Sequence, residues 1–95
     1  MQIKTFGEWL RSQLWTSGMS MAWMSKELGC SQSLLTHWRK GKNPRVEYIL
    51  QVCFILAKLQ NRDFLEIFQE VLYIVYGIDI NEYKNSNEKH KKPKR

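Results

Sequence analysis

Four side chains set close together, Gln32, Ser33, Thr36 and His37, present hydrogen-bond donors and acceptors on short stems. At helical spacing they fall on one side of a short helix, while Leu35 and Trp38 fall on the other. A helix with that division can dock its apolar side on a domain and lay its polar side in the major groove of DNA. Gln32 can pair bidentately with N6 and N7 of adenine. The stretch that follows, Arg39-Lys40-Gly41-Lys42-Asn43-Pro44-Arg45, holds cations and amides suited to phosphate oxygens. Base contact is therefore expected from Gln32, Ser33, Thr36 and His37, and phosphate contact from Ser31, Arg39, Lys40, Lys42, Asn43 and Arg45. Each residue also has a plainer reading. Gln32 could be an exposed first-turn residue, Ser31 first of all a helix cap, and the cations a soluble face.

Other chemistries lack their residues. His37 and Cys30 are near each other in sequence, but no carboxylate joins them at metal-ligand spacing. Cys53 lies on an apolar stripe and reads as a small core residue. His90 sits among lysines. No paired carboxylates, Cys-His arrangement or Gly-rich phosphate loop is present, so no catalytic residue, metal or cofactor is expected, and an enzyme is the remotest class. The two cysteines stand singly with no CxxC, which suggests a reducing, cytoplasmic setting.

The elements that must position these residues can be read in order. Thr5-Phe6-Gly7-Glu8 fits a capping box, and Phe6, Trp9, Leu10 and Leu14 then follow helical spacing to a stop near Gly18. Ser20 suits the start of a second helix, with Met24 and Leu28 on one face and Gly29 at its end. Ser31 caps a third, with Leu35 and Trp38 inward, ending at Gly41. After the Lys42-Asn43-Pro44 loop, a fourth apolar stripe runs from about Val46 through Ile49, Leu50, Cys53, Leu56 and Ala57. Asn61 is expected to cap a fifth helix reaching about Tyr76, with Gly77 after it. Ile78-Asp79-Ile80 is a loop or a short strand. The longest apolar runs, Val52 to Ala57 and Val71 to Tyr76, are too short to span a bilayer, and no signal region is expected after Met1-Gln2-Ile3-Lys4.

Residues 20–56, and less fully 5–56, resemble the phage-repressor-type (Xre/Cro-like, lambda-repressor-like) helix-turn-helix domain. The resemblance rests on Leu28-Gly29-Cys30-Ser31, Leu35, Trp38, the Arg39-Lys40-Gly41-Lys42 run, Pro44 and the stripe from Ile49 to Leu56. Met21, Trp23, Ser25 and Leu34 depart from the family's usual residues. The resemblance implies a four- or five-helix bundle, sequence-specific binding of double-stranded DNA, and a dimeric transcriptional regulator. Trp23 is expected either to lean on a neighbouring helix or to mark a partner surface.

Charge divides the chain. Net charge is +6 over 95 residues, with a basic middle, an acidic stretch over 46–83 and a basic end over 84–95. Basic segments attract nucleic acid, and the acidic one points away from it. In the fifth helix apolar residues sweep more of the surface than one core face needs. Phe64, Phe68, Val71, Leu72 and Val75 are therefore expected to form a dimer interface.

The expected fold is all-α: a compact bundle of about five helices containing a helix-turn-helix at 20–41. The DNA-binding part is expected over 1–60, a dimerisation extension over 61–83 and a disordered basic tail over 84–95. The expected function is a transcriptional regulator, a repressor in sign, that binds an inverted-repeat operator as a homodimer. The alternative is an antitoxin-like module whose residues 61–83 bind a partner protein while the helix-turn-helix autoregulates.

Overall fold

The computed structural model describes residues 4–79; the expected tail over 84–95, and position 80 of the loop-or-strand question, lie outside them. The described residues are all-helical, with helices α1 (Phe6–Thr16), α2 (Met21–Leu28), α3 (Gln32–Arg39), α4 (Val46–Gln60) and α5 (Phe64–Tyr76). Residues 77–79 carry no regular structure. No helix among the described residues is long and apolar enough to cross a membrane.

The boundaries follow from local chemistry. At α1 the capping box is complete: the Glu8 amide donates to the Thr5 hydroxyl at 3.1 Å, and the Thr5 amide donates to the Glu8 carboxylate at 3.1 Å. Ser20 and Ser31 accept from the amides of Trp23 and Leu34 and so open α2 and α3. Gly29, at φ 69, closes α2 in a left-handed turn that a residue with a Cβ adopts only with strain. The α4–α5 junction differs from expectation. Asn61 does not open α5; it closes α4 in the left-handed conformation at φ 54, and Asp63 stands at the start of α5. Asparagine tolerates that backbone better than other non-glycine residues, so the same residue type serves either helix end.

One core runs through all five helices. It is built from Phe6, Trp9, Leu10 and Leu14 of α1, Met24 and Leu28 of α2, and Leu35 and Trp38 of α3. Ile49, Val52, Cys53 and Leu56 of α4 join it with Ile67, Val71 and Val75 of α5. Leu50, expected on the α4 core stripe, lies at its margin and is 36% exposed, because the core-facing side of α4 centres on Ile49, Val52, Cys53 and Leu56. Val71 and Val75 are 0% and 2% exposed within the single chain, so they are not available to a second copy. Trp23 is partly buried against the core.

The tightest approach is between α1 and α3. A Cβ placed on Gly7 would come within 2.2 Å of the Arg39 amide nitrogen and 2.6 Å of the Trp38 carbonyl carbon. Phe6 meets Trp38 edge to face at 5.4 Å, and the Thr5 hydroxyl donates to the Arg39 carbonyl at 3.0 Å. Gly7→Ala illustrates the constraint. In an open helix the change is favourable by about 1 kcal/mol. Here the methyl group meets backbone that cannot rotate aside, and a net loss of about 1–3 kcal/mol is expected. Thermal unfolding checks it: Tm should fall by roughly 5–15 °C, whereas an unchanged Tm would show that α1 and α3 separate freely.

Candidate nucleic-acid interface

The segment from Ser20 to Arg45 contains two helices of 8 residues each joined by the turn at Gly29 and Cys30. The Gly29 amide donates to the Lys26 carbonyl, and the Cys30 amide donates to the Ser25 carbonyl at 3.0 Å, so the turn is tightly wound. Buried Ser25 is satisfied by donating its hydroxyl to the Ala22 carbonyl at 2.8 Å.

Helix α3 is divided sharply. Leu35 and Trp38 are each 1% exposed, and Leu34 is partly buried beside them. Gln32, Ser33, Thr36 and His37 are all exposed. The structure therefore brings the four expected base-reading residues onto one open surface of a helix whose back is fixed in the core. The Thr36 hydroxyl donates to the Gln32 carbonyl one turn back at 3.2 Å. Its oxygen keeps lone pairs with which to accept a hydrogen bond, and the residue is exposed.

The cationic loop is held against the end of α3. The Gly41 amide donates to the Trp38 carbonyl at 3.2 Å, and the Lys42 amide donates to the His37 carbonyl at 3.0 Å, with Gly41 at φ 112. This double closure of the helix end fixes the backbone of Lys42 relative to the polar face. Arg39, Lys40, Lys42, Asn43 and Arg45 are exposed around it, whereas Pro44 is buried and anchors the loop. Between the loop and the start of α4 lies a shallow cleft floored by Leu34, Trp38, Pro44 and Tyr48 and edged by Lys42, Asn43 and Arg45. Trp38 and Tyr48 meet there at 5.4 Å. Exposed Ser31, the cap of α3, shares this end of the molecule with the free amides of the first helical turn.

The acidic half forms a second polar assembly away from this surface. The Glu70 carboxylate accepts from Trp9 Nε1 at 3.0 Å, Gln13 Nε2 at 3.2 Å and the Arg62 guanidinium at 2.9 Å. Gln60 extends it, donating to Gln13 and Ser17 and accepting from Arg62. Among the described residues no buried polar side-chain atom lacks a partner.

Sequence reasoning missed Gly7, whose lack of a side chain seats α3, and Phe54, and it read Val46 and Leu50 as part of the core stripe, whereas all three α4 residues lie exposed beside it. The α4 set had a signal: a spacing of four residues that runs beside the core stripe. Among the described residues no group of three or more His, Cys, Asp or Glu could hold a metal ion. Comparison of the chain with protein-family models, curated proteins and solved structures found no match.

The cysteines are poor nucleophiles. Burial pushes the Cys30 thiol up from its ordinary value, and Cys53 is pushed up to about 12 by burial and, secondarily, by the Glu70 charge. A thiol that ionises less readily when folded favours the native state fully below its unfolded pKa of 9.0. That contribution is lost as pH rises from there toward 12. Unfolding titrations at pH 8 and 10.5 should show a loss of about 2 kcal/mol in the native sequence that Cys53→Ala does not show. Equal losses in both would place Cys53 in contact with water.

Proposed function

We propose that this protein is a sequence-specific double-stranded DNA-binding regulator, with α2 and α3 acting as a helix-turn-helix and α3 reading bases in the major groove. One observation carries the reading: α3 is buried on Leu35 and Trp38 while Gln32, Ser33, Thr36 and His37 stand open beside a backbone-pinned cationic loop. A helix held rigidly from behind with short hydrogen-bonding side chains in front is what groove reading requires. Gln32 sits in the first helical turn, where side chains reach base edges. Ser31, Arg39, Lys40, Lys42, Asn43 and Arg45 anchor phosphates and set the register. The resemblance of residues 20–56 to phage-repressor-type domains supports the same reading.

No reacting group is required. A protein of this size seated on a promoter blocks polymerase by occupancy, so repression in the cytoplasm needs no cofactor. One small module reads few base pairs, too few to select a site in a genome, and two copies related by a two-fold axis double the information. The preferred site is then an inverted repeat with half-site centres about 10–10.5 base pairs apart, or a multiple of that. The exposed Val46, Leu50 and Phe54 also support a second reading, an antitoxin-like module covered by a partner protein; a stoichiometric second protein on purification would favour it.

Selection of bound DNA from a random pool, followed by binding of variants to the selected site, tests the proposal. Gln32→Ala should weaken binding by about 1–3 kcal/mol and relax preference at one base pair per half-site. Lys42→Ala should weaken binding to all sequences and reduce the salt slope by about 1. A Gln32→Ala protein with native affinity and preference would remove α3 from the reading role.

A further inference from the structure

We infer that the exposed apolar face of α4 is a two-fold seam, covered by α4 of a second copy of this chain running antiparallel to the first. The inference rests on the homodimer proposed above and places its axis. Val46, Leu50 and Phe54 follow one another at every fourth residue along α4 and are 61%, 36% and 57% exposed. Phe54 stacks on Phe64 at 4.4 Å, and Phe64 on Phe68 at 5.9 Å, so the face continues onto α5. The carboxylates of α5 lie elsewhere: Glu66 and Glu70 both pair with Arg62. These side chains adjoin one another in a single apolar stripe and are not scattered singly, and contiguous apolar surface of this kind is where partners dock.

Charge selects the occupant. The solvent edge of the α4 stripe carries exposed Glu47 near its start and exposed Lys58 near its end. A two-fold axis midway between Leu50 and Phe54 turns α4 end for end. Leu50 then lies against Phe54 of the second copy, and Phe54 against its Leu50. Glu47 comes within one residue's rise, about 1.5 Å, of level with Lys58 of the second copy. Symmetry repeats each pairing, which gives two apolar contacts and two opposite-charge contacts from one surface. A partner carrying a single charge sign would satisfy one end of this edge and repel the other. Only a surface with the same gradient, reversed, satisfies both.

Sedimentation equilibrium of the full chain without DNA, at tens of micromolar, tests the seam. The native protein should be a dimer. Glu47→Lys and Lys58→Glu each turn two attractions into two repulsions and should weaken dimerisation about tenfold. Mixed one to one, the two variants should recover native affinity as a heterodimer, because each then meets its opposite charge at both ends. Phe54→Ser, at an exposed position, should give a helical monomer by circular dichroism. A native monomer would overturn the inference and leave the face to another partner. A dimer untouched by these changes, or charge variants that fail to rescue each other, would also overturn it and move the seam elsewhere. Since no DNA is present, failure here leaves the reading of α3 standing, and failure of the DNA selection leaves the seam standing.

Discussion

The closeness of α1 to the last turn of α3 is the constraint on which the rest of the molecule depends. The two backbones approach so nearly at Gly7 that no side chain fits between them. This places Phe6 against Trp38 and lets the Thr5 hydroxyl reach the Arg39 carbonyl, one of the last acceptors of α3 without a partner in its own helix. Once α3 is seated from behind at its C-terminal end, its polar side has one direction in which to point. The loop from Lys40 to Arg45 inherits that direction through its own hydrogen bonds to α3. The cationic surface and the polar surface are thus two consequences of a single packing event.

The opposite side of α1 is fastened by polarity and not by close approach. Glu70 on α5 gathers donors from Trp9 and Gln13 on α1 and from Arg62 in the α4–α5 turn. Hydrogen bonds to a charged group are each worth about 1.5–3 kcal/mol, and leaving such a group unsatisfied where it is partly buried is worse. The network therefore penalises any rotation of α5 about its axis. Ile67, Val71 and Val75 stay turned into the core, and Phe64 stays stacked between Phe54 and Phe68. A helix apolar on most of its surface would otherwise have several rotations of similar energy.

Charge follows the same division of labour. The basic residues from Lys26 to Arg45 surround α3 and its loop, while the carboxylates of α5 are drawn toward Arg62. The apolar α4–α5 face lies outside both charged regions.

Much of this was legible in the sequence because it depends on neighbours a few residues apart. The capping box at Thr5, the caps at Ser20 and Ser31, the left-handed Gly29 and the inward positions Leu35 and Trp38 are all local events, set by 3.6-residue periodicity and by which side chains satisfy free amides. The exposure of Gln32, Ser33, Thr36 and His37 follows from the same periodicity once the opposite side is known to be buried. Asn61 shows where local information ends: its residue type suits the close of one helix and the start of the next, and only the path of the chain selected the former. Tertiary structure alone decided which part of an over-apolar helix faces inward. Leu50 and Phe54 are as hydrophobic as Ile49 and Cys53, and Phe68 and Leu72 as Val71 and Val75. What separates them is the position of neighbouring helices and of the Glu70 network, which a sequence does not display. Gly7 is the plainest case. In sequence it is a weak residue inside a helix, and its meaning comes from the backbone of α3, more than thirty positions away, lying where its side chain would be.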